Sequence, residues 1–396
     1  MTTTELCPPE QSALQDATKR FVEREVSTNL QEWEDLGEVP RSLHRAAAEA
    51  GLLGVGFPES AGGQGGTLLD SVAMQEAFFE AGGSSGLAAA LFTGGIALPH
   101  IAAHGSPELV DRFVRPVLAG QRIGALAITE PTGGSDVASI RTTARLDQAS
   151  KEYVVNGVKT FITSGVRADF VTTAVRTGGP GHADISLLVI EKGTPGFTVD
   201  RPLTKMGWHC SDTATLNFDN ARVPAANLVG AECSGFAQIA EQFVVERIAL
   251  AVHAYGIAAR SLSLTTAYAR EREVFALPLL ARQVVQHQLV EMQRQVWVAR
   301  CYVRDTAARY VRGEAMVVEA CLAKQTAVGA CAYVVDQAVQ IHGGMGYLHG
   351  TEVERHYRDA RILGIGGGAT EVLTDLSARL LGFTPPTAET SQIGTP

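Results

Sequence analysis

The spacing of apolar residues changes twice along this chain, and that change limits the possible folds more than any single motif does. From about residue 10 to 120, stretches such as "QSALQDATKRFVEREV" and "RSLHRAAAEAGLLGV" place apolar residues three and four apart, the period of helices with one buried face. "PESAGGQGG" reads as a loop within this part. From about 122 to 228 the runs shorten and become β-prone. "EYVVNGVKTFIT" reads as two strands around Asn156-Gly157, a dipeptide suited to a tight hairpin, and "DISLLVIE" and "TATLNFDNARV" read as further strands. From about 234 to 382 the helical period returns in long segments, among them "FAQIAEQFVVERIALAVHAYGIAAR" and "VVEACLAKQTAVGACAYVVDQAVQIHGG". Helices, then strands, then helices is an α+β order, not an alternating βαβ one. The glycine-rich stretches do not sit where a Rossmann-type nicotinamide site would need them.

Composition narrows the function. A net charge of -9 offers no basic face for a phosphate backbone, so nucleic-acid binding is not expected and any anionic ligand must be held locally. The start carries no basic segment followed by an apolar run, and no stretch of about 18 uninterrupted apolar residues suggests a membrane span. A cytoplasmic protein is expected. The six cysteines contain no CxxC pair, which argues against a zinc site or disulfide framework and fits reduced thiols; no metal is expected. "TPPTAETSQIGTP" has the composition of a disordered tail.

Three places could carry chemistry. In "AITEPTGGSDVA" (127–138) a β-prone run enters a Pro- and Gly-rich turn that would expose N–H groups and hydroxyls to a ligand; composition alone favours a plain turn after a strand. The same ambiguity holds for Thr129 and Thr163, since Thr suits strands sterically. Glu246 is more telling, because Phe243, Ala249, Leu250, His253 and Ile257 share its helix face, and burial raises a carboxyl pKa toward the range of a general base. An ion pair with Arg247 or with a group on another helix is the competing reading. "VQIHGGMGY" (339–347) stops a helix at Gly343-Gly344, with His342 read as a hydrogen-bonded structural residue.

Together with "VNGVKTFITSG", "KMGWHCSDTATLNFDNARVPAANLVG", an RxxF at Arg272 to Phe275 and "VQIHGGMGYLHGTEVERHYRDARI", these stretches resemble the acyl-CoA dehydrogenase family in order and spacing from about residue 10 to 382. The resemblance implies an N-terminal α-helical domain (1–121), a central β-barrel-like domain (122–232) and a C-terminal four-helix bundle (233–384), with 385–396 a flexible tail. It also implies a homotetramer, a dimer of dimers, with FAD at the β-to-helix junction.

By that resemblance Ile128 and Thr129 face the flavin, Ser135 its pyrophosphate, Phe161 and Thr163 lie along the ring, and Gly134 belongs to the same cofactor set. Arg272, Phe275, Gln283, Gln340 and Gly344 match positions that clasp the FAD of a neighbouring subunit, and Ala369 and Glu371 fall in the same cofactor set. Ser135, Val244, Arg247 and Gly367 fall at substrate positions. The implied reaction is the α,β-dehydrogenation of an acyl-CoA to a trans-2-enoyl-CoA, with flavin N5 as hydride acceptor and electrons leaving to an electron-transfer flavoprotein. Family members keep the proton-abstracting carboxylate either in the loop after "RDARI", here "GIGGGATEV" with Gly367, or before an arginine on a helix, here Glu246-Arg247. Glu246 is the expected base, and the Gly367 backbone N–H the expected donor to the thioester oxygen. Small residues at 366–368 suggest room for a bulky or branched acyl chain. A flavin monooxygenase or oxidase on the same fold is the alternative. Ala369 and Ala276 stand where many members have Thr and Gly, and the sequence gives no account of Trp208-His209.

Overall fold

The computed structural model describes residues 9–179 and 181–384, so the expected tail at 385–396 lies outside the described residues. Helices occupy the N-terminal part. The longest after the first, Leu68–Glu80, starts at Thr67, whose hydroxyl and the Asp70 carboxylate close a capping box. It buries Val72, Phe78 and Phe79 against the C-terminal helices.

Seven strands follow: β1 (Gly124–Ala127), β2 (Thr143–Asp147), β3 (Glu152–Thr163), β4 (Phe170–Arg176), β5 (Ile185–Glu191), β6 (Phe197–Pro202) and β7 (Thr213–Pro224). They form one curled sheet in the order β1-β4-β2-β3-β7-β6, with β5 also paired to β4. β4 and β5 are buried on both faces. Phe170, Ala174 and Leu187 pack on Leu98, Ile101 and Phe113 of the N-terminal helices, while Val171, Val175 and Leu188 pack on Ala125 and Leu216. That is why "DISLLVIE" carries no alternating polar positions.

The expected hairpin at Asn156-Gly157 does not form. β3 runs unbroken through both residues, and the chain reverses instead between β2 and β3, where Lys151 takes a φ of 56°. Gly157 marks a register shift against β7. A Cβ there would lie 2.5 Å from Thr142 Oγ1, and Asn156 is spent on Asn220, accepting from its N–H at 2.9 Å. The glycine serves close backbone approach at a bulge, not a turn.

Helices Gly235–Glu271, Gln283–Val311 and Val317–His342, followed by Glu352–Ala360 and Thr370–Leu380, make the C-terminal bundle. The first is 37 residues long and begins hard against β5, since a Cβ on Gly235 would meet Ser186 at 2.7 Å. By length and composition this helix could cross a membrane, but 67% of its most apolar window is buried within the protein, where it forms core with Val296, Val303 and Ala327.

Candidate active site

Glu246 lies on helix 235–271, between the buried residues Val244 and Ile248. Its side chain keeps some contact with solvent, yet burial raises its pKa, and the charges of Lys324 and then Arg247 oppose that rise. No ion pair involving Glu246 forms among the described residues, which disposes of the competing reading of the sequence. Arg247 instead sets its guanidinium over the Phe243 ring, 5.2 Å from the centroid, with Nε buried and unpartnered.

The "GIGGGATEV" loop meets this helix. Gly367 has φ 62°, and a Cβ on it would lie 2.2 Å from Leu250 Cδ1 and 3.4 Å from Glu246 Oε1. A side chain at 367 would therefore point at Glu246, so the two locations for a base converge on one point in space. Leu250 packs over Gly367, and Leu373 lies 2.7 Å from a Cβ on Gly368, so neither glycine leaves space for a side chain of its own. Among the described residues nothing accepts from the Gly367 N–H. The loop is held from the bundle side by Lys324, 1% exposed, whose Nζ donates to Gly366 O at 2.5 Å and Gly368 O at 2.7 Å.

A second loop, 127–136, leaves β1 and turns back at Glu130, which exchanges backbone bonds with Gly133. Its Thr129 carbonyl accepts from Thr160 N–H at 2.9 Å, which lays Ile128 and Thr129 along β3, the strand that ends at Thr163. Lys159, fully buried, donates to Ile128 O at 2.9 Å and Glu130 Oε1 at 2.8 Å. Glu130 also accepts from the N–H groups of Arg141 and Thr142 and from the Thr142 hydroxyl. Burial acts to raise its pKa, but Lys159 and these bonds outweigh burial and hold it below the ordinary carboxylate range. Phe161 stands out from β3, 68% exposed with φ 59°, beside the second register shift against β7. A non-glycine residue in the left-handed region that displays an aromatic ring fits a ligand-facing position. Gly134 packs on Thr129, while Ser135 is exposed.

The remaining expected cofactor residues gather elsewhere. Arg272, Gly343 and Gly344 line an open cleft of about 510 Å³ with Tyr268, Leu279 and Ile341. The Arg272 side chain has no hydrogen-bond partner among the described residues, and a Cβ on Gly344 would meet nothing within 4 Å. Phe275, 89% exposed, sits at the tip of a two-residue turn in which it and Ala276 have φ of 53° and 61°. Gln283 and Gln340 are exposed at the starts and ends of neighbouring helices. His342 is structural, as expected: Nδ1 bonds to Ala338 O at 2.7 Å and the ring stacks on Tyr268. Helix 235–271 separates Glu246 from Arg272 by about 39 Å at 1.5 Å per residue, so this cleft is remote from Glu246 of its own chain. Ala369 caps helix 370–380, and Glu371 is exposed in its first turn.

The unbonded Arg272 guanidinium and open Gly344 of the cleft suit an anionic pyrophosphate, and the exposed Phe161 beside the Thr129–Ser135 loop suits a flat ring, in two separate places on the chain. Trp208-His209 serves a different purpose. Trp208 takes φ 55°, its N–H donates to Asp359 at 2.6 Å and its indole to Ser85 at 2.9 Å, tying the sheet to both helical regions. Burial and then the charge of Glu34 raise the Asp359 pKa.

The sequence reading missed Lys159, Glu130 and Lys324. Lys324 did leave a signal: it is a lone charge on the stripe of Ala320, Cys321, Ala327 and Cys331, the same kind of anomaly that singled out Glu246.

Residues 8–121, 125–221 and 233–382 match the family models described as the acyl-CoA dehydrogenase N-terminal, middle and C-terminal domains. Over 375 residues the chain is 34% identical to the long-chain specific acyl-CoA dehydrogenase, mitochondrial, of Rattus norvegicus, covering 93% of this chain and 86% of that one. Its fold is similar to a structure described as a probable acyl CoA dehydrogenase from Mycobacterium abscessus, with TM-score 0.93, 59% identity and coverage of 95% and 99%. It is also similar to a chain in a structure described as the electron transferring flavoprotein of Acidaminococcus fermentans, with TM-score 0.90, 31% identity and coverage of 96% and 99%.

Proposed function

The chain belongs to the acyl-CoA dehydrogenase family and is an oxidoreductase; from that premise we propose that it desaturates an acyl-CoA thioester between Cα and Cβ, with Glu246 as the base. FAD, when bound, supplies the hydride acceptor for the β-hydrogen. Glu246 takes the α-proton onto its carboxylate. Its partial burial and the absence of a bonded cation keep it basic enough to do so. The Gly367 N–H donates to the thioester oxygen, a bond that strengthens as negative charge builds there when the α-proton leaves. The observation that carries this reading is an unpaired carboxylate beside Gly367, whose N–H has no acceptor among the described residues.

Ile128, Thr129, Ser135, Phe161 and Thr163 would hold the cofactor from one subunit, and Arg272, Phe275, Gln283, Gln340 and Gly344 from a neighbour. The separation of Arg272 from Glu246 along one helix supports a site shared by two subunits, and the homotetramer is proposed on the family resemblance. An electron-transfer flavoprotein as acceptor and a cytoplasmic location belong to the same proposal.

The test is anaerobic. A panel of acyl-CoAs added to the flavin-loaded enzyme is expected to bleach the oxidised flavin with at least one member. Glu246→Gln is expected to keep its flavin while exchange of the substrate α-proton with D2O falls by roughly 10³-fold. A Gln variant that exchanges like the parent enzyme defeats the assignment of the base.

A further inference from the structure

The loop that carries Gly367 has few anchors of its own. Gly366 N–H bonds to Ile362 O and Leu373 N–H to Ala369 O, but Gly367 and Gly368, both at positive φ, have no side chains to fix them. The carbonyl oxygens on either side of the Gly367 unit, those of Gly366 and Gly368, both accept from Lys324 Nζ. One ammonium thus brackets the residue whose N–H is unclaimed. It reaches the loop from helix 317–342, while Leu250 and Glu246 approach Gly367 from helix 235–271.

We propose that Lys324 is a positioning residue for the dehydrogenation: by holding both carbonyls it aims the Gly367 N–H at the thioester oxygen, and by keeping an ammonium on the same loop that Glu246 meets it favours the ionised base. The inference rests on the assignment of Glu246 and Gly367 made above. A residue that misplaces a catalytic donor by about 1 Å costs roughly 10²-fold in rate even without touching substrate. The second half follows from Coulomb's law: a cation near a carboxylate favours its charged form, and its removal moves ionisation to higher pH. The groups that face Lys324 are Glu246 and Arg247 on helix 235–271 and Cys321 on its own helix. Ser377 of helix 370–380 bonds to Cys321, and Arg361 lies beside Gly364 at the loop's start. Of these only Glu246 is a carboxyl group. Burial pushes the lysine down to about 8, with Glu246 opposing and Arg247 adding to the shift, so it remains mainly charged at neutral pH.

The experiment compares Lys324→Met, Lys324→Arg and Glu246→Gln as flavin-loaded enzymes, reading kcat per bound flavin, KM, and the pH profile of flavin reduction by a reactive acyl-CoA. Lys324→Met is expected to lower kcat on the order of 10²-fold, with KM altered only a few-fold, and to move the acidic limb of the profile to higher pH. Lys324→Arg keeps the charge but not the two-carbonyl geometry; its limb is expected near the parent's and its kcat about tenfold down. A Met variant with parental kcat and limb overturns the inference, as does an Arg variant whose limb shifts as far as that of Met. Should Lys324→Met fail to fold, Lys324→Arg decides alone: a lowered kcat with an unmoved limb supports the role, and an unchanged kcat overturns it. Glu246→Gln separates the levels. If it is inactive while Lys324→Met behaves like the parent, only this inference falls; if it is active, the reading beneath it falls.

Discussion

Two buried lysines each pin a loop of the candidate site, and they do it differently. Lys159 bonds directly to the Glu130 carboxylate and to Ile128 O, while Lys324 gives its bonds to the carbonyls of Gly366 and Gly368 and leaves Glu246 unbonded. The two carboxylates respond in opposite directions. Glu130, saturated with donors, is held below the ordinary range, whereas Glu246, with none, is raised by burial. A bonded lysine takes the basicity out of a carboxylate and makes it a fixture; one that bonds elsewhere leaves the carboxylate able to accept a proton. The same residue type therefore makes one carboxylate a structural fixture and leaves the other unpaired.

Lys159→Met should have the largest effect on stability. It strands Glu130 as a buried charge, an expected loss of about 3–5 kcal/mol in denaturant unfolding with flavin content falling in parallel. Adding Glu130→Gln should recover a large part of that loss, because the double variant has no buried charge left to satisfy; no recovery would mean the pair is not the fixture described. Gly367→Ala comes next. Its Cβ would press on Leu250 Cδ1 from a left-handed backbone, so a loss of roughly 1–3 kcal/mol is expected, together with slower flavin reduction. Leu250→Ala in the same chain should relieve the clash and return part of the rate. The smallest effect belongs to a position outside both loops: Ala276→Gly, relieving a φ of 61°, should stabilise by about 1 kcal/mol or less without altering reduction by substrate. A large kinetic change from that substitution would show that rate does not discriminate the two clamps from the remainder of the chain.

Much of the architecture was legible in the amino-acid order, since helical and strand periods are local properties. Glu246 was legible for the same reason, as one acid on an apolar face. Asn156-Gly157 misled because the dipeptide signals permissive backbone, and whether that permits a turn or a close approach is decided by Thr142 and Asn220, both distant in sequence. The lysine clamps were hidden for a related reason. Their partners are mostly backbone carbonyls, which every residue possesses, so no residue type at 128, 366 or 368 announces the contact. Glu130 lies in a quoted motif but reads as one more turn residue until its four donors are seen.

The length of helix 235–271 reaches beyond the single chain. On the proposed assembly, a subunit carrying Glu246→Gln lacks its own base but still offers Arg272 to its neighbour, and a subunit carrying Arg272→Ala has the opposite defect. Each variant alone is expected to be inactive. Co-expressed and allowed to assemble together, they should yield some sites with both a sound Glu246 and a sound Arg272, so that two dead polypeptides restore activity by complementation.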